Sequence, residues 1–307
     1  MKRKVFDAEF IRKYGILMVL VIMWVIMLAV SPTFRTVSNA VNILRQVAVN
    51  GILAIGMTFV IMTGGIDLTV GSLVAVAGVI SGSILVVHPE QVILAVLAGI
   101  VVCGLFGAMN GFFVAYMEVP AFVATLAGMT IARGFAYVYS DGKPYTLNSP
   151  KFRIIGQGMA PIIIFLAILL ICHIVLSKMK FGRYIYATGG NIKAAEASGV
   201  NTKKILMKVY ILAGTLSGIA GIVLASRTNS GQPAVGTGFE TDAIAAAVIG
   251  GTSMTGGIGT IPGTLVGILI IGTLNNSLNL LNVSSYYQQI IKGAIILLAV
   301  MADRKKD

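Results

Sequence analysis

The sequence predicts an all-α, polytopic membrane protein of about 10 transmembrane helices, with an internal repeat and broken helices. Of its 307 residues, 57% are hydrophobic and 11% are charged, whereas soluble proteins average roughly 25% charged residues. The mean hydropathy of +0.92 points the same way. Because one span takes about 20 apolar residues, no stretch is left for a separate soluble domain. Residues 1–307 are therefore predicted to form one membrane domain.

A glycine-containing motif occurs twice, each time between long apolar stretches. Met62-Thr63-Gly64-Gly65-Ile66 recurs 192 residues later as Met254-Thr255-Gly256-Gly257-Ile258, and 8 of the 13 positions from Met62 to Val74 are repeated. Lipid offers no hydrogen bonds, so backbone that leaves a helix must be buried in protein or line a cavity. A paired, glycine-interrupted segment therefore indicates a transport pathway. We predict helix breaks beside such a pathway at Gly64, Gly65, Gly256 and Gly257.

Turn residues divide the apolar runs into spans. Ser31-Pro32 ends the first run, Asp67 separates the second from the third, a polar turn at 88–91 precedes the fourth, and Pro120 precedes the fifth. The last charge-free tract is too long for one helix, and its glycines and polar residues divide it into three. The predicted spans are Ile16 to Val30, Val47 to Ile66, Leu68 to Val87, Val92 to Tyr116, Ala121 to Tyr139, Ile162 to Leu176, Val209 to Ser226, Ala243 to Ile258, Gly263 to Leu281 and Tyr286 to Ala302.

Basic residues indicate the orientation. With the N-terminus inside, the N-terminal cluster, the stretch Lys178 to Lys208 and the tail Arg304-Lys305-Lys306 are cytoplasmic and hold 15 of the 23 lysine and arginine residues. Cytoplasmic loops carry an excess of these residues, so both termini are predicted to be cytoplasmic. Six predicted crossings separate the two motif copies, which makes the repeat parallel. If one copy were a break within a single helix, a crossing would disappear and the repeat would be inverted.

The stretch Lys178 to Lys208 is the one sizeable polar segment. Asn191 is suited to cap a short helix through Ala194 to Ala197 that stops at Gly199, and the glycines at 189 and 190 predict a turn before it. Such a helix, in a loop that connects two spans, is suited to docking in a groove of another protein. A solvated loop whose lysines only enforce the orientation explains the same spacing.

Several segments resemble one known family. They are Gly64-Gly65-Ile66-Asp67-Leu68-Thr69-Val70-Gly71-Ser72, the run from Gly182 to Asn191, Gly250-Gly251-Thr252-Ser253, and the run from Asn275 through Asn279 to Gln288. Together they resemble the permease subunits of bacterial ABC importers for sugars, in the ribose-type branch. The resemblance extends over nearly the whole chain.

The resemblance implies a multi-pass protein of the bacterial inner membrane that carries a monosaccharide, most of all ribose, by alternating access. It implies ATP-hydrolysing partner subunits in the cytoplasm, an extracytoplasmic sugar-binding protein and a second permease copy, with a homodimer expected. Residues 190–201 match the family's cytoplasmic loop that contacts the ATPase, so Asn191, Glu196 and Gly199 are the predicted coupling residues. No nucleic acid, cofactor or metal is expected.

Three polar side chains within the predicted spans are candidates for the pathway. Asp67 is the one acid between Glu9 and Glu90; an intramembrane carboxylate marks a functional site by default, but this one also suits a helix start. Asn275 and Asn279 are four residues apart and share a helix face. Their carboxamides suit either sugar hydroxyls or hydrogen bonds between helices.

The energy for transport must come from outside the chain. No Gly-x-x-x-x-Gly-Lys-Ser/Thr loop occurs, the one Gly-Lys pair being Gly142-Lys143, so the chain is not expected to be an enzyme. The alternative is a secondary transporter driven by protons or sodium. That mechanism needs titratable groups within the membrane, and from the sequence Asp67 alone qualifies comfortably.

Overall fold

The structure, a computed structural model, describes residues 8–303, which are almost entirely helical. The all-α, polytopic class is thereby confirmed. The basic residues at 2–4 and 304–306, on which part of the orientation prediction depends, lie outside the described range. In chain order the elements are α1 Ala8–Val30, a 3₁₀ turn Thr33–Arg35, α2 Val37–Met62, α3 Val70–Val87, α4 Val92–Ala115, α5 Ala121–Tyr139, β1 Tyr145–Thr146, α6 Pro150–Gly156, α7 Ala160–Lys178, α8 Lys180–Gly190, α9 Ile192–Ala197, α10 Thr202–Thr228, β2 Ser230–Gly231, α11 Phe239–Ile249, α12 Ile261–Leu280 and α13 Ser285–Asp303.

Seven helices of the described chain, α2, α3, α4, α5, α7, α10 and α12, are long and apolar enough to cross a membrane. The apolar part of α1, Gly15–Val30, is shorter. The predicted helix from Ala243 to Ile258 is wrong: α11 ends at Ile249, because Gly250 and Gly251 follow it. At about 1.5 Å per residue its 11 residues cover about 16 Å, half of the roughly 30 Å hydrocarbon core.

Other boundaries also differ from the prediction: α1 begins at Ala8 rather than Ile16, and α10 begins at Thr202 rather than Val209. α2 begins ten residues earlier than Val47, because the amide of Asn39 exchanges hydrogen bonds of 3.1 and 2.9 Å with Asn276 and so keeps a polar first turn inside the bundle. The glycines at 189 and 190, predicted to form a turn, lie instead in the last turn of α8.

The centre of the bundle is formed by α2, α3, α10 and α12. Of the apolar window in α2, 83% is buried, against 22% in α4. Where α4 packs on α10, Gly107 faces Gly214, and a methyl group on Gly107 would overlap the carbonyl oxygen of Tyr210. Small residues permit this close approach of two helices. The helices α1, α4, α5, α7 and α13 present large apolar side chains outward, as helices in contact with lipid do.

Between α10 and α11 the chain re-enters the bundle as extended backbone. β2 pairs antiparallel with β1, and residues 232–238 then run along α3 toward its first turn. Gly231 lies against Gly78 of α3, and Gly236 lies against Gly71. We call residues 232–238 the re-entrant segment. It brings the chain partway into the membrane before α11 begins.

Arg133 of α5 supplies the hydrogen bonds that this non-helical backbone requires. Its guanidinium donates to the carbonyl oxygens of Pro233 at 2.6 Å and Val235 at 2.7 Å. The carboxylate of Glu240 accepts from the N–H of Gly238 at 3.1 Å. Exposed irregular backbone cannot exist in lipid, so these side chains hold the segment in place and fix where α11 starts.

The repeat is parallel, because the five long helices between the motif copies are followed by a sixth passage, which the re-entrant segment and α11 make together. α2 and α11 run in the same direction, because Asn50 contacts Asp242 at one level and Gly257 donates to the carbonyl of Met62 at another. α12 then returns antiparallel to α2, as the hydrogen-bonded pairs along the two helices show. The two motif copies therefore lie at the same end of the bundle.

Replacing Arg133 by leucine should destabilise the protein, because two carbonyl groups of the re-entrant segment lose their donor, at about 1–3 kcal/mol for each buried group left unpaired. We expect the midpoint of thermal unfolding in detergent to fall by several degrees, and Arg133→Lys, which keeps a cationic donor, to restore part of the loss. Thr130→Val on the exposed part of the same helix is the control. An unaltered midpoint in Arg133→Leu would contradict this role.

Candidate functional site

The two copies of the glycine motif meet at one end of the bundle. The N–H of Gly257 donates to the carbonyl oxygen of Met62 at 2.9 Å, and Gly256 lies against the backbone of Gly64. Gly64, Gly256 and Gly257 have φ of +79°, +90° and +72°, which residues with a side chain rarely adopt. A methyl group on Gly65 would lie 2.5 Å from the hydroxyl oxygen of Tyr210. All four glycines thus lie in non-helical backbone, but only Gly64 and Gly65 follow the end of a helix directly, whereas Gly256 and Gly257 lie in the loop between α11 and α12.

The last turn of α8 completes this contact. A methyl group on Gly189 would overlap the carbonyl oxygen of Met62 and lie 2.5 Å from the nitrogen of Gly257, whereas a methyl group on Gly190 would meet no atom within 4 Å. The helix therefore touches both motif copies through Gly189, and the backbone of Gly190 lies against Gly257 as well. We call residues 62–65, 189–190 and 256–259 together the glycine junction.

Tyr186, one turn before Gly189, adds a hydrogen bond to the glycine junction. Its hydroxyl donates to the carbonyl oxygen of Gly259 at 2.7 Å. Burial raises the pKa of Tyr186 above its usual value. The hydroxyl therefore stays protonated at neutral pH and remains a donor.

α9 follows α8 directly and has the capping residues that the sequence indicated. The side chain of Asn191 accepts from the N–H of Ala194 at 3.0 Å, and Gly199, with φ of +82°, lies just beyond the end of the helix. The exposed Glu196 accepts a hydrogen bond of 2.5 Å from the hydroxyl of Thr202 at the start of α10. A short, exposed helix is thus held rigidly between the glycine junction and α10.

Asp67 lies beside the glycine junction and is fully buried. One carboxylate oxygen accepts from the N–H and the hydroxyl of Thr69 at 2.9 and 2.5 Å. That hydroxyl in turn accepts from Asn110 of α4 at 3.1 Å, and the carbonyl of Ile66 accepts from Thr125 of α5 at 3.0 Å. These bonds brace the start of α3 against α4 and α5, which is the geometry of the helix-start alternative.

A second polar site surrounds Asp242 in the first turn of α11. Lys292 of α13 lies 3.0 Å from one carboxylate oxygen, while Asn275 of α12 and Asn50 of α2 lie 3.2 and 3.5 Å from the other. The side chain of Asp242 is 6% exposed and that of Lys292 is 25% exposed. Burying a charge is costly unless it is paired and hydrogen-bonded, and here four helices contribute to that pairing. We call these four residues the Asp242 cluster.

The Asp242 cluster lies within the spans but far from the glycine junction, since Asn275 precedes the end of α12 at Leu280 by five residues, or about 7.5 Å. Asn50 precedes Met62 by 12 residues in α2, which corresponds to about 18 Å along the helix. Asn275 follows Ile261 by 14 residues in α12, or about 21 Å. Ionisable residues within spans are rare and mark functional sites.

Two cavities adjoin the Asp242 cluster, of about 410 Å³ and 460 Å³. Both fall in the range of roughly 300–1,000 Å³ that small-molecule sites occupy. Asn279 lies on the wall of the smaller one, where it accepts a hydrogen bond of 2.9 Å from Gln288. We call the smaller cavity the polar cleft; it is lined by Gln46, Val49, Asn50, Leu224, Arg227, Thr228, Phe239, Asp242, Asn275, Asn279, Gln288 and Lys292.

Sequence reasoning named Asn275 and Asn279 but missed Asp242, Lys292 and Asn50. The predicted span that begins at Ala243 leaves Asp242 outside it, and the prediction that Asp67 alone supplies an intramembrane titratable group is wrong, because Asp242 and Lys292 are paired between helices. One signal was present. Asn50 and Asp242 are 192 residues apart, the same offset as the two motif copies, so they are repeat counterparts that meet.

Comparison with known proteins places the chain among transport permeases. Residues 39–300 match the family described as the permease component of the branched-chain amino acid transport system. The chain is 45% identical to the ribose import permease protein RbsC of Escherichia coli (strain K12), over 99% of this chain and 97% of that protein. It is also 45% identical to the ribose import permease protein RbsC of Bacillus subtilis (strain 168), over 99% of this chain and 96% of that protein. The L-arabinose transport system permease protein AraH of Escherichia coli (strain K12) is 39% identical, over 96% and 91%. No solved structure matches the chain.

The neighbouring glycines of α8 offer a matched test of the glycine junction. Gly189→Ala should lower the yield of folded protein or abolish transport, because its methyl group would collide with the backbone of both motif copies. Gly190→Ala should behave like the unaltered protein, since its methyl group meets open space. Membrane-inserted amount and transport are the measurements. Equal behaviour of the two variants would show that the close contact at Gly189 has no importance.

Proposed function

This chain belongs to the family described as the permease component of the branched-chain amino acid transport system. We propose that it is the membrane-spanning subunit of an ATP-driven ribose importer. The substrate is proposed from the near-full-length similarity to ribose import permeases of two bacteria. Identity to these proteins is 45%, against 39% to the arabinose permease. Half of the residues that line the polar cleft are uncharged and polar, which suits a solute rich in hydroxyl groups.

We infer that α9 couples the permease to a partner ATPase. α9 is exposed, capped at Asn191, and followed by Gly199 at its end. It is joined to α8, and α8 touches both motif copies at the glycine junction. A force applied to α9 would therefore reach the ends of α2 and α11 through close-packed backbone, which transmits small displacements because interiors are densely packed.

The same proposal sets the orientation and the partners. The junction end carries the basic stretch 178–208 and would face the cytoplasm and the ATPase subunits. The opposite end carries β1, β2 and α6 and would receive sugar from an extracytoplasmic binding protein. A second copy of the chain would complete the passage, and both termini would lie in the cytoplasm. Asn275 and Asn279, which line the polar cleft, are the proposed pathway residues.

A secondary transporter is the second candidate, and one observation favours it. The buried Asp242 and Lys292 are titratable groups within the membrane, which proton-coupled transport requires. An ATP-driven importer needs no such titration. The source of energy therefore separates the two candidates.

Uptake by proteoliposomes decides between them. The permease is reconstituted with its ATPase and binding protein, and uptake of radiolabelled D-ribose is measured. We expect uptake that requires both ATP and the binding protein and that persists when an uncoupler collapses the proton gradient. Uptake that the uncoupler abolishes, or that proceeds without ATP, would establish the secondary transporter instead.

Glu196 provides a test of coupling through α9. Glu196→Arg should leave insertion intact, because the side chain is exposed, yet should abolish the ATP hydrolysis that sugar-loaded binding protein stimulates. Thr202→Val is the matched control, since it removes the same internal hydrogen bond and keeps the carboxylate. If both variants lose stimulation equally, Glu196 only braces α9. If neither does, Glu196 is not a coupling residue.

A further inference from the structure

We propose that the Asp242 cluster is a binding site for the hydroxyl groups of the sugar in transit. Asp242 and the amide oxygen of Asn275 would accept hydrogen bonds from the sugar, and Lys292 would donate one. This inference rests on the proposed function. It adds a specific site, three side chains in named roles and a reason for the buried charges.

The amide of Asn275 is the first observation. The side chain is 5% exposed, and its nitrogen donates to Asp242 at 3.2 Å. A carboxylate only accepts, so this contact fixes which end of the amide faces it. The amide oxygen is then buried and accepts no hydrogen bond from any residue in the range 8–303. Buried acceptors are nearly always paired, and a sugar hydroxyl is a suitable donor.

The second observation is that the charge pair can accommodate a ligand. Lys292 is a quarter exposed and lines both cavities, so it faces the space in which a ligand would lie. The contact from Asn50 to Asp242 is long, at 3.5 Å. Adjacent hydroxyl groups of a pentose can donate to the two oxygens of one carboxylate while the ammonium donates to a sugar oxygen. The charges of Asp242 and Lys292 cancel, and Arg227 is the remaining charged residue on the wall of the polar cleft.

Position within the fold is the third observation. The cluster joins Asn50 and Asp242, which are repeat counterparts, and it lies at the first turn of a helix that starts within the membrane. Transporters place substrate near the middle of the bilayer, at the interface of their repeats and beside interrupted helices. The motif glycines lie at the other end of α11. The motif glycines therefore follow one end of α11, and the proposed site lies at the other.

The amount of ribose imported per ATP hydrolysed tests the site in the reconstituted complex. Asn275→Ala should lower this ratio about three- to tenfold, the effect of losing one hydrogen bond. Asn276→Ala is the matched control: it is the next residue of α12, but its amide is paired with Asn39. Any loss of stability there should reduce uptake and ATP hydrolysis alike and leave the ratio unchanged.

A double variant keeps the test decisive if Asn275→Ala fails to insert. Asp242→Asn combined with Lys292→Gln removes both charges together, which avoids leaving one charge buried alone, and it should lower the ratio at least as much. A ratio within twofold of the unaltered protein's, in either inserted variant, would overturn the site. ATP-dependent uptake by the unaltered complex would then leave the proposed function standing. Absence of that uptake would overturn both.

Discussion

Backbone that leaves a helix inside a membrane must find its hydrogen bonds in the protein, and this requirement organises the whole structure. The chain leaves helical geometry at the two glycine motifs and along the re-entrant segment. At the motifs, backbone bonds to backbone, as Gly257 does to Met62. At the re-entrant segment, Arg133 supplies the donors. Each irregular stretch is thereby buried against a neighbour, and α11 is left short enough to begin within the bilayer.

The half-length helix α11 connects the two parts of the candidate site. The loop after its last turn leads into the glycine junction, which α8 contacts, and α9 follows α8 directly. Its first turn carries Asp242, bonded to three other helices. In the proposed importer, displacement of α9 would move α11 as a rigid body and alter the polar cleft at its far end. If α11 were a full-length span, its first turn would lie at the membrane surface, and Asp242 would lie there with it.

The sequence was sufficient for features that depend on neighbouring residues. Most spans followed from hydropathy, the end of α2 from Gly64 and Gly65, and the cap of α9 from Asn191 and Gly199. It was insufficient where a contact joins distant residues. Hydropathy averages over a window and cannot show that α11 is preceded by extended backbone, so the predicted span begins at Ala243 and leaves Asp242 out. The pairing of Asp242 with Lys292 requires α13 to pack on α11, which no local pattern reports.

At two pairs of counterpart positions, 50 with 242 and 67 with 259, each half of the repeat supplies one carboxylate, and the two carboxylates lie at different levels. In the first half, Asp67 lies at the glycine junction and braces the start of α3, while its counterpart in the second half is Gly259, whose carbonyl accepts from Tyr186. In the second half, Asp242 lies deep in the bundle, while its counterpart is the neutral Asn50. A carboxylate at both deep positions would place two like charges 3.5 Å apart, which is unfavourable in a medium of low dielectric constant. Because Asn50 is neutral, the one negative charge of Asp242 can be neutralised by the single lysine Lys292.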